Sequence, residues 1–163
     1  MKRMSADEAA EIIQHDQMVA FSGFTPAGSP KALPAAIARR AGELHQAQQP
    51  FQIRLLTGAS ISAAADDALS AADAVSWRAP YQTASGLRQK INQGKVNFVD
   101  LHLSEVAQMV NYGFFGEIDV AVIEASALAP DGRVWLTSGI GNAPTWLLRA
   151  KKVIIELNHY HNP

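Results

Sequence analysis

The sequence predicts an α/β fold, a three-layer sandwich with a mostly parallel open sheet. Short apolar runs of strand length alternate with longer stretches of helical periodicity, the pattern of a parallel sheet covered by helices. Several of the apolar runs end in turns rich in Gly, Ser and Thr, such as Ser22-Gly23-Phe24-Thr25 and Thr57-Gly58-Ala59-Ser60. In open α/β sheets, ligands bind beyond the carboxyl ends of the strands. With 163 residues, 48% of them hydrophobic, the chain is long enough to bury one substantial core.

The elements follow in order. Ser5 with Glu8 three residues later forms a capping box, and Ala9, Ala10, Ile12 and Ile13 make an apolar stripe, so a helix is predicted over Ser5 to Gln14. Met18 to Ser22 reads as a buried parallel strand. Pro30 to Gln46 reads as an Ala-rich helix with Leu33, Ile37, Ala41 and Leu44 on one face. Ile53 to Leu56 is a strand, Asp66 to Ala72 a helix, Ala74 to Trp77 extended, and Arg78 to Thr83 a loop. Ser85 to Asn92 is helical, Val96 to Val99 a strand, and Ser104 is the expected cap of a helix ending near Gly113. Asp119 to Glu124 is the strongest strand. Pro130-Asp131-Gly132 turns the chain into Val134-Trp135-Leu136 as a hairpin-like excursion. Asn142 to Arg149 is a short helix and Val153 to Leu157 a closing strand.

Composition excludes several classes. Fourteen basic residues balance fifteen acidic ones, for a net charge of −1, and no basic block is interleaved with aromatics as a nucleic-acid groove requires. Without cysteine there are neither disulfides nor thiolate metal sites. The amino-terminal residues run into a helix rather than an apolar signal core, and no apolar run approaches the ~20 residues of a membrane span. A cytoplasmic protein with no membrane and no nucleic-acid partner is expected.

Two glycine motifs invite a nucleotide reading. Gly23 to Gly28 has the frame of a phosphate loop, but Ser29-Pro30-Lys31 replaces the required Lys-Ser/Thr pair. Gly139-Ile140-Gly141 starts like a dinucleotide fingerprint, yet Pro144 stands at the third glycine and the motif lies far from the first strand. A strand-to-helix turn, with Asn142 as cap and Pro144 in the first helical turn, explains it better. The loop Ser22 to Lys31 leaves backbone N–H groups free for an anion and leads to a helix N-terminus, so it reads as part of a site for a carboxylate or thioester oxygen; a plain tight turn is the alternative. Ser60 is either a hydroxyl facing the ligand crevice or a helix cap, and Tyr81 and Thr83 lie on a loop beyond another strand. Glu124 and Glu156, at or within apolar strands, read as salt-bridged structural carboxylates. His159 and His161 lack acidic company, and no metal site is assigned. Neither a G-x-S-x-G elbow nor H-E-x-x-H occurs, so serine hydrolase and zinc protease chemistry lack support.

The blocks SGFTPAGSPKALP, LLTGAS, WRAPYQT, INQGKVNFVDLHLSEVAQMV, DVAVIEASAL with DGRVWLTSGIGNAPTWL, and KKVIIELN together resemble the amino-terminal domain of the acetyl-CoA hydrolase/transferase family. The resemblance runs over essentially the whole chain. Family members are about three times as long and built from two related α/β domains, which implies a CoA-transferase type of domain over residues 1–157 and the start of a linker to a missing second domain over 158–163.

The resemblance implies an activity in which CoA moves between a short-chain acyl-CoA, propionyl-CoA, and a carboxylate, succinate. Acetyl-CoA hydrolysis and succinyl-CoA:acetate transfer are alternatives within the family. The nucleophile is a glutamate of the second domain that passes through a glutamyl-CoA thioester. No catalytic residue is therefore expected in this chain, and the chain alone is expected to be inactive. By analogy it supplies one wall of the acyl and carboxylate pocket through Gly23, Phe24, Thr25, Ser60 and Thr83. Coenzyme A thioesters enter as substrates with no permanently bound cofactor, and a homodimer is expected. Ser29, where acetate-using relatives tend to carry Tyr, is expected to enlarge the pocket. Two readings outside the family also stand: a stand-alone small-anion module such as a sugar-phosphate sensor, and a structural domain dimerising through exposed Trp135 or Trp146.

Overall fold

The computed structural model describes residues 1–59 and 63–162. Among them, seven strands form one sheet. They are β1 (Met18–Phe21), β2 (Ile53–Leu56), β3 (Val75–Ala79), β4 (Asn97–Phe98), β5 (Ile118–Leu128), β6 (Val134–Leu136) and β7 (Ala150–Leu157). Six helices accompany them: α1 (Ala6–Ala10), α2 (Ala32–Gln46), α3 (Ala63–Ala71), α4 (Ser85–Asn92), α5 (Leu103–Asn111) and α6 (Ala143–Arg149). The sheet order is β4-β3-β2-β1-β5-β6, with β7 also paired to β5. Every pairing is parallel except β5 with β6.

Alternation along the strands divides the interior into two cores. Val19 and Phe21 of β1, with Ile53 and Leu55 of β2, face α1 to α4, whereas Met18, Ala20 and Leu56 face α5 and α6. Helices thus cover both faces of the sheet, giving the predicted three layers. Trp146 anchors the second core: it is 0% exposed and its indole N–H donates to the Phe21 carbonyl at 3.1 Å. The expectation that Trp146 is exposed and free to mediate dimerisation is therefore wrong. Trp135 is 39% exposed, with the Arg133 guanidinium 5.5 Å from its ring centre.

Several boundaries differ from the sequence reading for local reasons. The first helix is one long turn, Ala6–Ala10, with the predicted capping box intact. Beyond it the chain must turn to enter β1, and Asp16 (φ 62) does so. The second helix starts at Ala32, so Pro30 precedes it. Helix α3 begins ahead of the predicted Asp66. Arg78 and Ala79 belong to β3 rather than to a loop. Ser104 lies inside α5, whose N-cap position is His102 with no side-chain cap bond, so Ser104 does not cap it. β5 and β7 are longer than predicted because each is the other's neighbour over seven residue pairs, Ile118 with Ala150 through Ala125 with Leu157.

The topology locates a switch point. From β1 the chain builds outward through β2, β3 and β4, then returns to place β5 and β7 on the opposite side, so β1 and β5 are the pair where ligand crevices of such sheets open. Here that position is filled. Ala125 pairs with Leu136 of β6 on one side and Leu157 of β7 on the other, which puts β6 on the β1 side, directly above the end of β1.

Candidate functional site at the carboxyl ends of β1, β2 and β3

The loop after β1 is a fixed structure. Phe24 and Ala27 exchange two backbone hydrogen bonds, at 2.9 and 3.2 Å, across a tight turn in which Thr25 has φ 55. Ser22 anchors its start: its hydroxyl donates to the Gly28 carbonyl at 2.7 Å and accepts from the Glu124 amide at 2.9 Å, extending the β1–β5 ladder by one rung beyond β1. Among the described residues, the amides of Gly23 and Thr25 donate to no protein acceptor. Phe24 is 50% exposed. Among the described residues, the predicted trio Gly23, Phe24 and Thr25 therefore combines two backbone donors without a protein acceptor with an exposed apolar side chain.

The loop after β6 crosses this one in backbone contact. A Cβ on Gly28 would lie 2.3 Å from the Gly139 carbonyl oxygen, and one on Gly139 would lie 2.0 Å from the Ala27 carbonyl oxygen. The glycines that looked like two nucleotide-binding frames are two halves of one crossing, present because any side chain would force the strands of chain apart. Gly58, after β2, joins the same junction, where a Cβ would stand 3.2 Å from the Gly23 carbonyl oxygen.

The helix N-terminus expected to face an anion is already occupied. The Glu156 carboxylate accepts from the amides of Lys31, Ala32 and Leu33 at 2.7, 3.1 and 2.9 Å. These are the orphan donors of the first turn of α2, so that part of the anion site is filled by the protein's own side chain. Ser29 is fully buried with its hydroxyl towards the Pro26 carbonyl.

Thr83 is exposed on the loop after β3, and its carbonyl accepts from Arg88 at 3.1 Å. β3 is two strands from β1, with β2 between them, so the loops bearing Gly23 to Thr25 and Thr83 share one end of the sheet. Ser60 lies outside the described residues. A cleft of about 380 Å³ opens at the end of β7, lined by Lys31, Ala32, Glu156 and residues 157–160; none of the predicted residues borders it.

Two polar features escaped the sequence reading. Arg78, at the end of β3, is 0% exposed. Its Nε lies 3.4 Å from Asp66 Oδ1, Nη1 donates to the Ala79 carbonyl, and Nη2 has no partner among the described residues. Burial pushes the guanidinium pKa down, and Asp66 opposes that shift. The only signal was an arginine at the end of an apolar strand, within WRAPYQT. The second is the set of partners of Glu124, the expected salt-bridged carboxylate, which is buried with Lys31 Nζ on one oxygen and Thr137 Oγ1 on the other, the latter at 3.0 Å.

Comparison with known proteins bears on this geometry. The family model for the acetyl-CoA hydrolase/transferase N-terminal domain matches residues 1–163. The chain is 88% identical to propanoyl-CoA:succinate CoA transferase of Escherichia coli over 99% of its own length and 33% of that protein's. It is 41% identical to succinyl-CoA:acetate CoA-transferase of Clostridium kluyveri over 96% of the chain and 29% of that protein. The chain thus spans about a third of the length of these relatives. Among solved structures, RipA of Yersinia pestis superposes with a TM-score of 0.77 at 21% identity, over 96% of this chain and 36% of that one. Glutaconate coenzyme A-transferase of Acidaminococcus fermentans gives 0.72 at 15% identity, over 94% and 68%. At these identities the superpositions establish the shared fold.

Proposed function

Because the chain belongs to the acetyl-CoA hydrolase/transferase family, as its amino-terminal domain, we propose that it forms one wall of the active site of a CoA-transferase that moves CoA from propionyl-CoA to succinate. The observation that carries this reading is the crossed pair of loops at the switch point, where the Gly23 and Thr25 amides donate to no acceptor among the described residues. Such donors stabilise the oxyanion that forms when a thioester carbonyl is attacked. Phe24 would border the acyl chain, and Thr83 and Ser60 would contribute hydroxyls.

The nucleophile in this proposal is a glutamate carboxylate from outside residues 1–163. It attacks the propionyl thioester carbon, the C–S bond breaks, and CoA thiolate leaves an acyl-glutamyl anhydride. Thiolate then attacks the glutamyl carbonyl, releasing propionate and leaving a glutamyl-CoA thioester that succinate discharges by the reverse sequence. Both Glu124 and Glu156 are committed to hydrogen bonds within this domain, so neither serves as that nucleophile. Residues 1–157 would be the domain and 158–163 the beginning of a linker. A homodimer in the cytoplasm completes the proposal.

The test is CoA transfer from propionyl-CoA to succinate, measured with the 163-residue chain and with the longer protein that carries it. Transfer only by the longer protein is expected; transfer by the chain alone would overturn the division of labour.

A further inference from the structure

The Glu124 carboxylate takes no part in the chemistry above, yet it is the most connected polar group of the crossing. One oxygen accepts from Lys31 Nζ and the other from Thr137 Oγ1 at 3.0 Å, while its own amide donates to Ser22 Oγ at 2.9 Å. Ser22 opens the loop after β1, Lys31 closes it, and Thr137 opens the loop after β6. Lys31 Nζ also holds the Ser29 carbonyl at 2.8 Å, and Ser22 Oγ holds the Gly28 carbonyl at 2.7 Å. A single residue therefore reaches both ends of one loop and the start of the other.

The crossing has a physical need for such a hub. At Gly28 and Gly139 the two backbones touch with no side chains to interlock, so apolar packing does not fix how far one loop slides past the other. Directional bonds must do it. A carboxylate 1% exposed is stable there only while its partners are in place, since a buried charge left unpaired is strongly unfavourable. Sliding either loop would strip it of Lys31 or Thr137.

We propose that Glu124 is the positioning residue of the site, holding the two loops in register through Lys31 and Thr137 so that the Gly23 and Thr25 amides stay presented to a ligand oxygen. The identity of that ligand rests on the proposed function; the register does not.

The experiment follows amide exchange and chemical shifts in the ¹⁵N-labelled 163-residue chain, with sodium propionate as the probe. In Glu124→Gln, exchange at Phe24 and Ala27 is expected to rise about tenfold, the worth of one hydrogen bond to a charged group, while Val120 and Val122 in the sheet keep their protection. Lys31→Met should reproduce the effect and Lys31→Arg should restore it. Thr137→Val, which removes one bond and keeps the charge pair, gives a smaller rise and serves if Glu124→Gln does not fold. Loop exchange unchanged in these variants would overturn the proposal, as would loop and sheet amides rising together. Propionate should shift the Gly23 and Thr25 resonances of the parent chain and not those of Glu124→Gln. If the parent shows no such shifts while loop exchange responds as stated, the functional reading falls and the positioning role stands.

Discussion

Gly28→Ala, set against Gly94→Ala, isolates the energetic role of the loop crossing. The two glycines have nearly the same backbone angle, φ +70 and +71, but opposite surroundings: a Cβ on Gly94 meets nothing within 4 Å, whereas one on Gly28 would lie 2.3 Å from the Gly139 carbonyl oxygen. Left-handed backbone costs a residue with Cβ about 1–2 kcal/mol, and both variants carry that cost. Only Gly28→Ala must also push a backbone carbonyl by about 1 Å, and overpacking of a packed interior costs a further ~1–3 kcal/mol. Gly139→Ala carries the contact alone, its Cβ 2.0 Å from the Ala27 carbonyl oxygen. Urea denaturation followed by circular dichroism gives each stability by linear extrapolation. For a chain of this size each 1 kcal/mol moves Tm by about 2–4 °C, so Gly28→Ala should melt roughly 2–12 °C below Gly94→Ala. A Gly28→Ala variant no less stable than Gly94→Ala would refute the crossing as the reason for glycine there.

Glu156→Ala should cost about 1 kcal/mol, the usual worth of a helix cap, and should speed amide exchange at Lys31, Ala32 and Leu33, whose donors it satisfies; unchanged exchange at those three amides would show that the cap is not formed in solution. The Ser5 amide, and then the Ser5 hydroxyl, hold the Glu8 carboxyl below the usual glutamate range. A depressed folded-state pKa stabilises α1 above the ordinary value, and the contribution is lost as pH falls through the folded one. An NMR titration of Glu8 should therefore find a midpoint below that of a model peptide, and Ser5→Ala, which removes the hydroxyl and keeps the backbone amide, should raise it only part of the way.

The layers were legible because the information is local. Ile53 to Leu56 and Ser85 to Asn92 are marked by their own apolar runs and flanking turns, and the structure reproduces both spans. The site was legible only as a location. Loop glycines announced that the carboxyl ends of β1 and β2 were special, but Gly28 and Gly139 meet only because β6 is placed above β1 by its pairing with β5. The partners of Glu124 escaped for the same reason: Lys31 is 93 positions away, and no periodicity connects them. Glu156 was read as a strand residue with a structural role, and so it is, but its role is to fill the helix N-terminus that looked open to a ligand. Trp146 was misplaced because a seven-residue helix leaves too little periodicity to say which face is buried.

The plugged switch point also constrains how a ligand reaches this domain. With β6 above β1 and Glu156 over the start of α2, approach between β1 and β5 is closed by the chain itself. Phe24, Tyr81 and Ile140, each about half exposed, lie on the loops after β1, β3 and β6 respectively. Side chains of that size gain about 1.5–3 kcal/mol each when carried from full exposure to full burial, and about half of that from the half-exposed state seen here. On the proposed function, these side chains would border the acyl group of a thioester whose carbonyl oxygen accepts from the Gly23 and Thr25 amides, and Phe24→Ala would then raise the KM for propionyl-CoA in the longer protein while leaving its circular dichroism spectrum unchanged.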